Sequence, residues 1–350
     1  MNEFLSSLLE TASVTGSETQ AAEVLQPYFA QMGLATARDA SGNFYAGDVS
    51  GSAGVLLAAH MDEIGLMVTC IMPDGTLRVC SVGGIYIPMY FGHRVRIYTR
   101  AGVVYGSVSV NRELYRRSEF KATDIIVDIG ASNAEQAAEW VEVGDIATFD
   151  SDWRMLKNDY LSGRALDDKM GVYILSETLT RLHENGKDAQ VCLCATVGEE
   201  TVKNGAYWAA SRQKPKLAIV VDVTYTSDYL HGAAKEECGE ILLGGGPAVC
   251  INPICSRRRI EQVKQAAKRA GIALQFEVSG ERTHTDADGI HQAAGGVEML
   301  IVSLPMRYMH SACETVSLQD AEACIRLLTE YLGSLPEYSD QEKALMHSYA

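Results

Sequence analysis

The stretch CLCATVGEETVKNGA, residues 192–206, runs from an apolar segment straight into two adjacent glutamates, Glu199 and Glu200. Cys192 to Val197 reads as a buried strand, and along a strand neighbouring side chains point to opposite faces. Paired carboxylates at such an end are either a solvated turn or two groups with different jobs. Glutamate is usually exposed, so the turn is the default reading unless the rest of the chain overturns it. Cys192 and Cys194 read as alternate core residues, because no second cysteine pair stands at zinc-site spacing.

Outward from this strand, helices and strands alternate. GVLLAAHMDEIGLMVT (54–69) contains a buried strand bounded by Gly54 and interrupted at His60. Further strands are expected in KLAIVVDVTY (216–225), ALQFEVS (273–279) and VEMLIVSLP (297–305). Helices are expected over about 169–185, 204–212, 257–270 and 318–334, with a helix start at DADGIHQAAGG. Residues 1–35 read as helical, with Ser17 and Gln20 as a capping box and Gly33 as a stop. Between about 68 and 155 the runs become short, β-branched and glycine-punctuated, which reads as a small all-β unit. One short helix interrupts that unit, with Ser132 as its candidate cap. The expected fold class is α/β, with a mixed, largely parallel sheet covered by helices on both faces and a small all-β, barrel-like domain inserted. The expected boundaries are 1–67 with 156–350 for the discontinuous main domain and 68–155 for the insert.

In open α/β sheets, functional groups gather at the carboxyl ends of strands. His60 ends VLLAA, Glu199 and Glu200 end CLCATV, Asp222 ends LAIVV, and His310 follows LIVSLPMRYM. Asp167 sits in LSGRALDDKMG, just before a helix. Each alone has a plain explanation: a lone Asp there is usually a cap, a lone His a satisfied structural residue. Together they would crowd several carboxylates into one crevice, where mutual repulsion raises their pKa values unless cations are bound. His, Asp and Glu without cysteine suit zinc, cobalt or manganese. Two histidines and three carboxylates exceed the needs of one catalytic zinc, whereas two metals bridged by a carboxylate would use them all. Asp62, two residues beyond His60, faces the same way on a strand and can accept the second ring N–H of that histidine. Glu200 can then be a ligand, while Glu199, on the other face, is free to take a proton from an activated water and pass it to a leaving amine.

The bulk numbers narrow the function classes. The chain has 350 residues, a length that favours two domains, and a formal charge of −15. That charge and a pI near 5.0 argue against nucleic-acid binding, which needs clustered Lys and Arg. The amino terminus lacks the basic start of a secretory signal, and no stretch approaches the roughly 20 apolar residues of a membrane span. Nine scattered cysteines fit reduced thiols in a cytoplasm.

AAHMDEIGLMVT, GRALDDKMGV, ATVGEETVKNGA, VVDVT and LPMRYMHSACETV follow one another in an order and spacing that closely resemble the tetrahedral (glutamyl or leucyl) aminopeptidases, di-metal peptidases that carry an older endoglucanase label. The likeness spans nearly the whole chain, the inserted domain included. It implies that His60 and His310 each bind one metal and that Asp167 bridges both, with Asp168 left to cap or support. Glu200 and Asp222 complete the ligand sets, Glu199 is the general base, and Asp62 orients His60. It further implies two divalent ions per subunit, with zinc expected first and cobalt or manganese as alternatives. The substrates are expected to be short peptides with a free N-terminus, and the inserted domain is expected to join dimers that assemble into a dodecamer.

Two departures stand out. The family's usual glycine before the Thr-Asp pair is His284 here, in RTHTDADG, and the family's KPPH stretch is replaced by VSVNRELYRRSEF. Arg282 and Arg307 lie near the proposed site, either to recognise an acidic side chain or as structural ion-pair partners. The rival readings are a deacylase or carboxypeptidase on the same scaffold, a metal-free glycosidase using two carboxylates, and a binding protein that keeps the fold without the activity.

Overall fold

The structure is a computed structural model that describes residues 2–336 apart from 111, 230, 231, 233, 294 and 295. The final segment of the expected main domain, 337–350, lies outside the described residues, as does Asn111 in the altered insert stretch. Four apolar runs, Val55–His60, Val191–Thr196, Leu217–Tyr225 and Glu298–Arg307, form the centre of a sheet that has eleven strands among the described residues. These four run parallel to their neighbours in the order 191–196, 55–60, 217–225, 298–307, and antiparallel strands complete the edges. Being covered on both faces, the central strands are apolar at almost every position rather than alternately. Cys192 and Cys194, on one face, and Leu193 between them, on the other, are accordingly all buried.

The register fixes what stands at the strand ends. Thr196 pairs with His60, and Val220 pairs with Ala58. Asp222, two residues beyond Val220, therefore lies level with His60 on the next strand and on the same face. The helix Leu166–Glu184 crosses this face, packed on Val55–His60 and on the helix Leu318–Gly333.

A second body is a closed antiparallel barrel of Gly65–Ile71, Leu77–Val82, Ile126–Asp128, Gly102–Val108, Arg94–Thr99 and Ile146–Phe149, paired in that order. Its own core contains Leu66, Val79, Val95, Ile97, Val127 and Phe149. Closure leaves no free sheet edge, which lets six short strands hold together.

Several local expectations change. The amino-terminal region forms two helices, Glu3–Glu10 and Thr19–Gln31, and Ser17 does not cap the second. Glu18 stands at its N-cap, and Gln20 instead accepts from the Ala12 N–H at 3.1 Å. Gly33 does follow the helix with φ +75°, a left-handed backbone that glycine adopts without steric cost. In the insert, Asn133 caps the helix Ala134–Trp140, and the backbone N–H of Ser132 donates to Gln136. The helix Thr19–Gln31 has no side-chain cap, and in the insert neighbouring Ser132 and Asn133 are equivalent candidates until their own φ/ψ are known.

Candidate metal centre

Asp167 lies at the start of the helix Leu166–Glu184, where residues 167 and 168 depart from helical φ/ψ and are joined by a cis peptide bond. Its carboxylate divides between two histidines. Oδ1 lies 3.1 Å from His60 Nε2, and Oδ2 lies 3.4 Å from His310 Nε2. Glu200 joins the second side, with Oε2 3.5 Å from the same His310 nitrogen. Ligand atoms of His60, Asp167 and Glu200 lie within 4.8 Å of one another, and so do those of His60, Asp168 and Asp222.

Each histidine is held by its other nitrogen. His60 Nδ1 is 3.1 Å from the backbone carbonyl of Asp62 and 3.5 Å from the Asp62 carboxylate. The carbonyl is thus the nearer partner, and the carboxylate expected for that role turns mainly to the glutamate loop. Asp62 Oδ1 accepts from the Glu199 N–H at 3.1 Å, while Oδ2 accepts from the Glu200 N–H at 3.3 Å and from Thr15 Oγ1 at 2.6 Å. His310 Nδ1 lies 2.8 Å from the carbonyl of Gly84, at the exit of the barrel strand Leu77–Val82. The barrel therefore helps to orient a residue of the main sheet.

Four supporting residues, Glu314, Glu63, Arg164 and Lys169, escaped the sequence reading. Glu314 Oε2 accepts from the N–H groups of Leu166 (2.8 Å) and Asp167 (3.2 Å), and its Oε1 accepts from that of His310 (2.9 Å). One buried carboxylate thus ties the Asp167 turn to the His310 turn. Burial, then the Asp167 charge, pushes it up to about 8 against the pull of those N–H groups. Beneath the centre, buried Glu63 pairs with Arg164 and, at 3.1 Å, with buried Lys169. The glutamate of ACE (312–314) and the basic residues flanking the DD pair were visible in sequence, but nothing in spacing joined residues 63, 164 and 169.

The electrostatics follow from burial and from the crowding of acids. Burial, with the charges of neighbouring carboxylates, raises Asp168, Glu200 and Asp222 well above the usual carboxylate range. Asp167 moves the other way: burial opposes ionisation, but hydrogen bonds from His310 and His60 win and hold it low. Burial opposes charge on His310 too, yet Asp167 and Glu200 raise it to about 10. Asp168 Oδ1 caps the Gly171 N–H at 3.0 Å, and its Oδ2 is buried without a hydrogen-bond partner. An orphaned buried carboxylate oxygen among histidines and acids suits a divalent cation, and the donor set of imidazole and carboxylate fits one.

Glu199 is buried and stands apart from both ligand groups, with Oε1 paired to Lys203 Nζ. It lines a cavity of about 970 Å³ with His60, Asp167, Asp222 and His310. His284, with φ +58°, and Arg282 are exposed and line the outer part of the same cavity. Arg307 does not line it: its guanidinium is engaged by Asp228 at 2.7 Å.

Comparison with known proteins identifies the class first. The chain is 32% identical over 306 residues to the lysyl aminopeptidase of Pyrococcus furiosus, covering 85% of this chain and 86% of that one. A TET aminopeptidase from Thaumarchaeota archaeon SCGC AB-539-E09 superposes with a TM-score of 0.87 at 28% identity, covering 98% and 99% of the two chains. The TET1 peptidase of Pyrococcus horikoshii, described as assembling into a tetrahedron or a large octahedral shell, gives a TM-score of 0.84 at 30% identity, covering 95% and 99%. This is a peptide hydrolase of the aminopeptidase class. The pattern of the M42 glutamyl aminopeptidase family matches residues 42–327, and the chain belongs to that metal-dependent family.

Proposed function

We propose that this aminopeptidase removes N-terminal residues from short peptides with two divalent cations, zinc first and cobalt or manganese as alternatives. The observation that carries this reading is the divided carboxylate of Asp167, one oxygen toward each histidine. His60 and Asp222 would hold one cation, Glu200 and His310 the other, and Asp167 both. When bound, such a pair supplies Lewis-acid polarisation of the first peptide carbonyl and a water made nucleophilic at neutral pH.

The protein's own groups do the rest. Glu199 is the general base: a buried carboxylate facing the cavity, outside both ligand groups, that takes the water's proton and gives it to the departing nitrogen. Lys203 holds that carboxylate at the cavity wall. Asp62, through the N–H groups of Glu199 and Glu200, fixes the loop that carries base and ligand side by side. The free α-amine of the peptide sits beside the carboxylates, which gives the enzyme its demand for an unblocked terminus.

The main domain, 1–67 with 156–350, is proposed to carry catalysis, and the insert, 68–155, self-association. Tyr86, Val103, Tyr105 and Val143 are exposed apolar side chains on the insert, suited to burial between copies. Dimers assembling to a dodecamer are the proposed form, in line with the tetrahedral shell described for the Pyrococcus horikoshii peptidase. The net charge of −15 argues against nucleic acid as a partner; no described helix is long and apolar enough to cross a membrane. A cytoplasmic location accords with the free cysteines.

The test is a set of initial rates on amino-acid p-nitroanilides with free and acetylated amines, before and after metal is restored to stripped protein. Turnover of free amines alone, and only with metal, supports the reading; turnover of the acetylated series supports a deacylase instead. Glu199→Gln should lose turnover while keeping near-normal metal content, and retained activity in that variant overturns its role.

A further inference from the structure

The cavity does not stop at the metal-type residues. It crosses the sheet end to a far wall built by the strands Ala248–Ile251 and Gln275–Val278, where Glu277 lines it. The register places that carboxylate. Ser303 is the direct partner of Asp222 on the neighbouring parallel strand, and Ser303 Oγ donates to Glu277 Oε2 at 3.4 Å. Glu277 thus faces the same crevice as Asp222, on the order of one to two strand spacings (about 5–10 Å) away. An extended lysine or arginine stem covers such a gap.

Three observations give this carboxylate a task. It is half-buried in the cleft, and burial raises its pKa while hydrogen bonds from Thr224 and Ser303 pull it down; among the described residues no cation is paired with it. Two other buried glutamates do have cationic partners, Glu63 with Arg164 and Lys169, and Glu199 with Lys203. Ile301, Val278 and Met309 line the same cavity and offer apolar surface to an alkyl stem. The arginines that would favour an acidic side chain are placed otherwise: Arg307 is committed to Asp228, and Arg282 is exposed at the rim.

We propose that Glu277 is the residue that selects peptides by their first side chain, favouring a basic N-terminal residue, lysine or arginine. This rests on the proposed position of the scissile bond beside His60, Asp167 and His310. A side chain leading away from that point along the sheet end enters the stretch that Glu277 closes.

The test measures kcat/KM of the metal-restored enzyme on lysyl, arginyl, leucyl and glutamyl p-nitroanilides, for wild type, Glu277→Gln and Glu277→Lys. In wild type the basic substrates should lead. The lysine-to-leucine ratio should fall about tenfold or more in Glu277→Gln, chiefly through KM, the loss expected of a charge-assisted contact. Glu277→Lys should turn the preference toward the glutamyl substrate, which a merely structural role would not do. A wild-type preference for leucine or glutamate, or an unchanged ratio in Glu277→Gln, overturns the proposal while leaving aminopeptidase activity intact. Absence of turnover on every free-amine substrate with metal restored would instead overturn the placement on which it rests, and the proposal with it.

Discussion

Replacing Gly205 with alanine should separate the helix Asn204–Gln213 from the strand end that carries the paired glutamates. A Cβ at Gly205 would stand 2.2 Å from the Val197 carbonyl oxygen and 2.6 Å from both Val197 N and Asn43 Oδ1. None of these can step aside cheaply. Val197 is backbone, and Asn43 is locked, with Oδ1 accepting from Val197 N–H at 3.1 Å and Nδ2 donating to Gly205 O and Asp39 Oδ2, each at 2.9 Å. Helix and strand end must therefore part by about 1 Å in a close-packed region. Overpacking of this kind costs about 1–3 kcal/mol. The two Asn43 hydrogen bonds that stretch or break add about 0.5–1.5 kcal/mol each. Alanine returns about 0.5–1 kcal/mol over glycine in a helix. The balance is a destabilisation centred on about 3 kcal/mol, with limits of about 1 and 5 kcal/mol, a large value for a single core substitution. Because Glu199 follows Val197 by two residues, the same shift displaces the proposed base, and a displacement of about 1 Å costs on the order of 100-fold in rate. Urea unfolding of the metal-free protein reads the first effect, and kcat on a free-amine p-nitroanilide with saturating metal reads the second. Gly333→Ala serves as control: nothing lies within 4 Å of the added carbon, so its midpoint should stay put or rise slightly. If Gly205→Ala unfolds at the wild-type urea concentration and turns over at the wild-type rate, the coupling argued here is wrong.

Three further outcomes follow from the same geometry. Asp62→Asn replaces one acceptor oxygen with an amide that faces an N–H or the Thr15 hydroxyl; activity or metal affinity should fall by about 10–100-fold, read by kcat at saturating metal and by chelator competition. Asp167→Ala should lose both metal and activity, measured by metal analysis after dialysis, since its carboxylate is the one shared between His60 and His310. Glu63 sets an acid limb. Burial resists its ionisation, but Arg164 and Lys169 outweigh that and hold its carboxyl at about 2, below the ordinary 4.5. A depressed carboxyl contributes stability that is fully present above pH 4.5 and lost as pH falls toward 2. Urea midpoints of metal-free protein should therefore drop through that window. Glu63→Gln should flatten the drop and, by stranding Arg164 and Lys169, cost about 3–5 kcal/mol at neutral pH.

Sequence and structure meet most closely where one chemical signal is strong and local. The buried strands were legible because Val55–Ala59 and Leu217–Val221 are unbroken apolar runs that only a two-sided sheet can bury. The helix Arg257–Ala270 was legible from its spacing, and the structure adds its ends: Ser256 accepts from Arg259 N–H, and Gly271 has φ +65°. Glu199 and Glu200 stood out because carboxylates are out of place at the end of such a run. Cap choice at Glu18 and Asn133 was not legible, since several polar residues there are equivalent until the backbone angles are known.

By itself, then, the sequence determined the layered α/β plan, the inserted β unit and the set of polar residues placed at strand ends, because burial and strand period act over a few neighbouring residues. Tertiary structure alone decided how those residues meet. Which oxygen of Asp167 faces which histidine, that the Gly84 carbonyl holds the His310 ring, and that Glu314 joins the turns at Asp167 and His310 all depend on contacts across the fold. So does the place of Glu277, which becomes part of the cleft only because the strand Ala248–Ile251 pairs with both Gln275–Val278 and Glu298–Arg307. Hydrogen bonds and charges act over a few ångströms of space, and the distance in chain that separates the partners leaves no periodic trace.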